Sequence, residues 1–276
     1  MTEGFAESHR TGATQRPAIE PVASSPRAGH LWSDAERLVP WLGLVAVLIM
    51  LIHTVNLAMG YPSWLLRRFF DVNGEANIAA WFSSMLLTLA GLAALACAVR
   101  SRELGVAQYR VWLAVAAIVC FMSCDEVAMI HEQLTRAVRD RWLGGRLPLP
   151  HGNWVALFGP GILAVFAWVG MKLRWCLQGS SVAAWRLLLG AALFVGGSMA
   201  LELALNLMDD HHGWWLARVR TMLEEGLEMA GSLCFLSGLL AHLRVLEKVA
   251  SDGARVASEG RREQRQVVGN VTEGKR

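Results

Sequence analysis

Acidic side chains and a histidine lie at the end of an apolar stretch, residues 119–133, which reads VCFMSCDEVAMIHEQ. Carboxylates and imidazoles are general acids and bases, and they are also common ligands of divalent metal ions. Within a membrane they are expensive, because a charged group near the middle of a spanning helix costs roughly 2.5–3.5 kcal/mol. The stretch therefore predicts a functional site or a buried polar network. Its polar members are Asp125, Glu126, His131 and Glu132.

The helix that carries these residues has to include them in its membrane-spanning part. Its purely apolar portion, residues 111–124, has 14 residues. At 1.5 Å per residue this portion is about 21 Å long, which is too short for roughly 30 Å of hydrocarbon. If the helix continues, Asp125 and Glu132 lie about 20° apart on one face and His131 lies about 120° away. We therefore expect Asp125 and Glu132 to act together and His131 to point elsewhere.

Two later apolar segments carry polar stripes of the same kind. On a helix that turns 100° per residue, the stripe in the fifth segment spans about 60° and the stripe that opens the sixth spans about 100°. Simpler explanations apply to part of this set, since acids in a first helical turn are stabilised by the helix dipole and residues at helix ends are often solvated. The members are Glu202, Asn206 and Asp209 in the fifth segment and Glu224, Glu225 and Glu228 in the sixth.

The composition indicates a membrane protein. Of the 276 residues, 54% are hydrophobic and 18% are charged, whereas roughly 25% charge is usual in globular domains. Six apolar blocks are long enough to span a bilayer. They cover approximately residues 40–59, 78–99, 111–131, 154–173, 186–208 and 222–243. The sequence predicts an all-α, polytopic integral membrane bundle of six transmembrane helices in residues 36–248, with disordered tails at residues 1–35 and 249–276.

Six alternating helices place these polar groups at one membrane face. The third and fifth helices end at that face, the sixth begins there, and His53 lies in the corresponding half of the first. Lys and Arg number 18 in the tails and loops of the opposite side and 8 on this side, although the difference depends on the tails. Because positive residues favour the cytoplasm, we expect both termini in the cytoplasm of a bacterium, an inner-membrane location, and the acidic face outside.

The leading hypothesis is a metal-dependent enzyme, a hydrolase or an oxidoreductase, that acts at the outer face on a lipid or another apolar substrate. Oxygen-rich ligand sets hold Ca²⁺, or one or two ions of iron, manganese or zinc. The expected ligands are Asp125, Glu132, Glu225, Glu228 and His131. The expected general base is Glu126 or Glu202. The groups expected to surround them are His53, Asn206, Asp209 and Glu224.

The charge balance leaves alternatives open. Carboxylates this close cannot all be ionised in a low dielectric without a counter-charge. Protonation of several acids, arginines that fold back from the loops, or a bound cation would each supply it. A proton- or cation-coupled transporter and a structural subunit with a buried polar network therefore stand beside the enzyme.

The expected partners are the lipid bilayer and an apolar small molecule. Nucleic acid is not expected, because the net charge is only +3 and the chain has no nucleic-acid-binding motif. The sequence makes no prediction of oligomeric state.

Overall fold

The structure, a computed structural model, describes residues 28–72, 74, 77–146, 152–204 and 214–273. The secondary structure of this part of the chain is entirely helical. The helices are α1 (Ala28–Ala58), α2 (Trp64–Phe70), α3 (Ile78–Glu103), α4 (Tyr109–Ala128), α5 (Ile130–Trp142), α6 (Asn153–Cys176), α7 (Ser181–Val195), α8 (Glu202–Ala204) and α9 (Trp214–Glu273). A π-helical segment, Gly196–Leu201, joins α7 to α8.

Six stretches of helix are long and apolar enough to cross a membrane. They are Trp32–Ala58, Ile78–Glu103, Tyr109–Ala128, Asn153–Cys176, Ser181–Ala204 and Ala217–Gln264. Their outward surfaces are apolar, as at Trp41 and Leu188, which are 67% and 62% exposed. A broad apolar exterior suits hydrocarbon better than water as the surrounding medium. At this level, the prediction of an all-α chain with six such helices is confirmed for the described residues.

Helix α9 lies at the centre of the bundle, against α1, α3 and α7. Its contact with α7 is close because glycines face each other. A Cβ atom added to Gly231 would lie 2.8 Å from the backbone nitrogen of Phe194 and 2.9 Å from the carbonyl oxygen of Gly190. Small residues permit this approach between membrane helices. The contact fixes the position of α7 relative to α9, and so the position of Glu202, which follows α7 in the chain, relative to the acids of α9.

Helices α3 and α4 are joined by hydroxyl groups near the acidic end of α4. The hydroxyl of Ser123 lies 2.8 Å from the carbonyl oxygen of Ser84, to which it donates, and 2.8 Å from the hydroxyl of Thr88. Hydrocarbon cannot solvate such groups, so they pair between helices. The bonds hold the last turns of α4 against α3.

Two helix boundaries differ from those that the composition predicts. Helix α1 begins at Ala28, and α9 continues to Glu273. The residues after position 248 include no proline and many good helix formers, and Arg255 forms an ion pair of 3.1 Å with Glu259 one turn later. A polar segment of this kind can extend a helix that the bundle has already nucleated. The structure therefore has a helical extension where the composition predicts a disordered C-terminal tail.

Candidate functional site

A cavity of about 980 Å³ lies between α4, α5, α6, α9 and the segment that follows α7. Part of its wall is apolar and includes Phe121, Phe158 and Ile162. The other part is acidic and lies where α4 ends and α9 begins. The acidic residues that line it are Asp125, Glu126, Glu132, Glu202, Glu224, Glu225 and Glu228. The cavity thus joins apolar walls to a small number of convergent polar groups, as ligand sites commonly do.

Three of these acids form a compact group, named here the carboxylate triad: Glu126, Glu225 and Glu228. One carboxylate oxygen from each lies within 4.8 Å of the other two. Glu225 and Glu228 are one turn apart on α9, whereas Glu126 comes from the end of α4. Glu228 is only 8% exposed, so water solvates it poorly. Carboxylates at this separation repel one another unless protons or a cation lie between them.

A buried hydroxyl stands beside the triad. Ser83 of α3 is fully buried and lies close to Glu126. Its Oγ makes no hydrogen bond of standard geometry to the described part of the chain. The carboxylate of Glu126 is the polar group that this buried hydroxyl faces. Ser83 thus links the end of α4 to α3 beside the triad.

The helix that ends in the acidic stretch does not continue through His131. Met129, between α4 and α5, has a left-handed backbone with φ of 52° and ψ of 44°. This turn folds His131 back onto Asp125. The backbone N–H of His131 donates to Oδ1 of Asp125 at 2.9 Å, and its Nδ1 lies 2.8 Å from Oδ2. The expectation of an uninterrupted helix, with Asp125 and Glu132 on one face and His131 elsewhere, is wrong.

Glu132 is instead paired with a residue of its own helix. Its carboxylate lies 2.7 Å from the guanidinium of Arg136, and the two side chains are 43% and 47% exposed. Exposed pairs of this kind contribute little to stability. Asp125 and His131 are better protected, and the imidazole packs on Trp154 with ring centroids 4.8 Å apart. The structure therefore groups Asp125 with His131.

His131 lies in α5, outside the six helices that are long and apolar enough to cross a membrane, and its pKa is raised. Burial lowers the pKa of the imidazole, but the hydrogen bond to Asp125 and the negative charge of that carboxylate outweigh the burial. Asp125 also fixes the orientation of the ring through Nδ1. The other ring nitrogen, Nε2, is then the atom that can exchange a proton with a ligand.

The π-helical segment determines where Glu202 lies. Its wider turns end at Glu202, and π-bulges are frequent at functional sites. Arg220 of α9 forms ion pairs with Glu202 and, at 2.9 Å, with Glu224. Arg220 thus neutralises part of the acidic lining of the cavity.

The acids around the triad form ion pairs with basic residues, whereas the triad has no such pair among the described residues. Asp125, Glu132, Glu202 and Glu224 each have an arginine or a histidine within ion-pair distance. In the described ranges, no lysine, arginine or histidine lies within 4.0 Å of a triad carboxylate. The triad is therefore where the negative charge of the cavity is least compensated.

A separate polar network lies beside α1. His53 is fully buried. Its Nδ1 accepts a hydrogen bond from the backbone N–H of Val72 at 3.3 Å and lies 3.7 Å from Asp71. Asp71 also meets Arg218 at 3.4 Å, and Arg218 donates to the hydroxyl of Tyr61 at 3.0 Å. His53 does not line the cavity formed by the described residues, so the structure does not bring it to the expected site.

Two expected members of the site, Asn206 and Asp209, lie outside the described residues and remain predictions. Ser83 and Trp154 reach the site but were not candidates, because isolated serines and end-of-helix tryptophans are common in membrane helices. Only the contact between α3 and α4 distinguishes Ser83 from other small polar residues.

Comparison with known proteins identifies a family without an assigned activity. Residues 41–243 match the model of a family described as a domain of unknown function, DUF8692. No curated protein and no solved structure matches the chain. Because the match covers more than half of the sequence and includes the whole carboxylate triad, the chain belongs to this family.

Proposed function

We propose that this chain is a metal-dependent membrane enzyme, a hydrolase or an oxidoreductase, that acts on a lipid or another apolar molecule. The carboxylate triad carries the proposal. Its three oxygens lie within 4.8 Å of one another beside a large cavity, and the described residues supply no basic partner. A divalent cation would provide the missing positive charge at ligand distance.

The donor atoms favour a hard or borderline cation. Carboxylate oxygens suit Ca²⁺ and Mn²⁺, and with a nearby imidazole they also suit iron or zinc. Glutamates on facing helices hold di-metal centres in other helix bundles, which is an analogy of chemistry and not of family. In this proposal Glu126 is a ligand together with Glu225 and Glu228, rather than the general base.

The proton-transfer role then falls to His131. Asp125 orients its ring and raises its pKa, which strengthens the imidazole as a base. An oriented base beside a metal site is suited to activating water for hydrolysis, and a redox-active metal would instead support oxidation. Glu202 is a positioning residue, because its carboxylate is tied to Arg220.

The rest of the bundle supports an enzyme over the alternatives. A second cavity, of about 290 Å³, leads away from the acidic end and is lined by apolar side chains apart from Arg174. It offers no chain of polar groups for a proton or a cation to follow. In a purely structural network, each acid would be expected to have a basic partner. The triad has no basic partner among the described residues.

The proposed location is a bacterial inner membrane with both termini in the cytoplasm. The positive residues of the tails support this orientation. The acidic cavity then opens at the outer face, within reach of lipids of the outer leaflet.

Lipid turnover tests the proposal. Purified protein is mixed with a bacterial lipid extract and Mn²⁺, Zn²⁺, Ca²⁺ or aerobic Fe²⁺, and the products are followed by mass spectrometry. We expect a product with at least one ion, its disappearance with a chelator, and its loss in Glu228→Gln. Glu132→Gln, which alters an acid that is already paired with Arg136, should remain active. Absence of any ion-dependent product from the wild-type protein would contradict the proposal.

A further inference from the structure

The second cavity continues the first into the opposite half of the bundle. It lies between α4, α6, α7 and α9 and is named here the apolar groove. The residues that line both cavities are Ile118, Met122, Val165 and Phe166. One path therefore leads from the carboxylate triad, along these four side chains, into the apolar groove.

The apolar groove is chemically suited to a hydrocarbon chain. Among the described residues that line it, the one charged side chain is Arg174, near the end farthest from the triad. The groove opens sideways between α6 and α7, where Val165 and Leu188 are 43% and 62% exposed. A hydrocarbon chain can enter by this opening directly from the bilayer, whereas a polar solute would have to lose its water first.

The length of the path matches one leaflet of a membrane. On α4, Val115 lies eleven positions before Glu126, and on α9 Leu239 lies eleven positions after Glu228. Val115 and Leu239 both line the apolar groove. At 1.5 Å per residue the distance is about 16 Å, close to half of the roughly 30 Å hydrocarbon thickness. A lipid chain whose head group lies at the triad would therefore end within the groove.

The acidic end of the path determines which charge the head group of a bound lipid can carry. Of the acids that line the first cavity, Glu132 is neutralised by Arg136. Among the described lining residues, the basic side chains that the six remaining acids face are Arg220 and His131. When these acids are ionised, one divalent cation on the triad would still leave an excess of negative charge. The potential in the cavity therefore favours an amine or a hydroxyl and disfavours an anion.

We infer that the site binds a lipid with a neutral or cationic head group at the carboxylate triad and one hydrocarbon chain in the apolar groove. The inference rests on the proposed function and narrows its substrate from apolar molecules in general to lipids of this class.

Photochemical labelling tests the inference. The probe is a long-chain primary amine with a diazirine in the middle of its chain and an alkyne at its end. After irradiation of the purified protein, labelled peptides are identified by mass spectrometry. We expect labels on α6 and α7 at the apolar groove, competition by an unlabelled long-chain alcohol, and weaker labelling by a fatty acid with the same chain.

Two neighbouring alanines of α7 provide a matched pair of variants. Ala191 lines the apolar groove, whereas Ala192 is exposed on the outside of the bundle. Ala191→Trp should fill the groove and reduce labelling about tenfold, the effect of losing contact with about two methylene groups. Ala192→Trp should label like the wild-type protein. If Ala191→Trp does not fold, Ala184→Leu blocks the groove with a smaller side chain.

Labelling spread evenly over the outer surfaces of α1 and α3, without an excess in the groove, would overturn the inference. Equal labelling of the two tryptophan variants would also overturn it. The experiment detects binding without turnover, so groove labelling in a protein that lacks activity would reject the enzyme and retain the lipid site. Activity without groove labelling would reject the lipid site alone.

Discussion

Glu228 is the residue on which the proposed metal site depends most, because it is buried and lies beside two other carboxylates without a basic partner in the described residues. Glu228→Gln keeps the shape of the side chain and removes its charge. We expect metal affinity to fall by at least about 100-fold, the upper end of the effect of losing a supporting group. Competition with a chelating dye measures the affinity.

Glu132→Gln is the control for this measurement, since Glu132 is half-exposed and paired with Arg136. Its affinity should equal that of the wild-type protein. Equal affinities in all three proteins would place the metal elsewhere.

His131 makes a prediction about pH. Its pKa is raised in the folded protein, so the protonated His131–Asp125 pair stabilises the fold below the ordinary histidine pKa of about 6.5. That stability is lost as the pH rises through the folded value. Asp125→Asn should lower the pKa of His131, which NMR of ring-labelled histidine in detergent can follow.

Asp140→Asn is the control for the histidine titration, because Asp140 is exposed and paired with Arg139. It should leave the pKa of His131 unchanged. A His131 titration that is the same in Asp125→Asn and the wild-type protein would show that Asp125 does not hold the ring.

At the residue scale, part of the site is predictable from the sequence. The alternating direction of the six helices predicts that the acids of three segments lie at one end of the bundle. The structure brings Glu126, Glu225 and Glu228 together there. The pairing of His131 with Asp125 is not predictable from the sequence, since a single left-handed residue, Met129, breaks the helical period. Methionine gives no signal for that conformation, which is uncommon in any residue except glycine, asparagine and aspartate.

At the scale of elements, the α7–α9 contact positions Glu202, which follows α7 in the chain, relative to the acids of α9. A Cβ atom at Gly231 would meet the backbone of α7 at 2.8 Å. Gly231→Ala should therefore force the helices apart and destabilise the protein by about 1–3 kcal/mol, as overpacking usually does. Thermal unfolding in detergent measures the change.

Gly226→Ala is the control on the same helix, because its added Cβ would meet only the end of Met50, at 3.6 Å. It should be neutral or stabilising, since alanine favours helix more than glycine. A melting temperature for Gly231→Ala equal to that of Gly226→Ala would show that the contact is looser than described.

Element lengths were predictable where hydrophobicity decides them, because a bilayer of fixed thickness sets the length of an apolar helix. The π-helical turn before Glu202 and the helical extension to Glu273 were not. The first depends on packing against α9, and the second depends on helix propensity in a segment that is exposed over residues 251–264.

At the scale of the whole molecule, the two ends of the bundle differ in chemistry. The end with the cavity collects carboxylates, whereas the opposite end carries ion pairs such as Glu36 with Arg186 and Arg244, and Arg100 with Glu247. These ion pairs connect helices, and the opposite charges within each pair neutralise one another. The asymmetry is consistent with one functional face and one anchoring face.

The proposed orientation can be tested in intact cells. Arg141 and Asp252 are exposed at the two ends of the bundle. Arg141→Cys should react with a membrane-impermeant maleimide from outside, while Asp252→Cys should react only after permeabilisation. The wild-type chain, with its native cysteines, gives the background. The reverse pattern would invert the orientation.

Metal content tests the central claim most directly. The wild-type protein is purified in detergent without added chelator, and bound metals are measured by inductively coupled plasma mass spectrometry against protein concentration. The account predicts about one or two divalent ions per chain, lowered in Glu228→Gln and kept in Glu132→Gln. A folded wild-type protein that contains no metal, and takes up none of manganese, iron, zinc or calcium on dialysis, would contradict it.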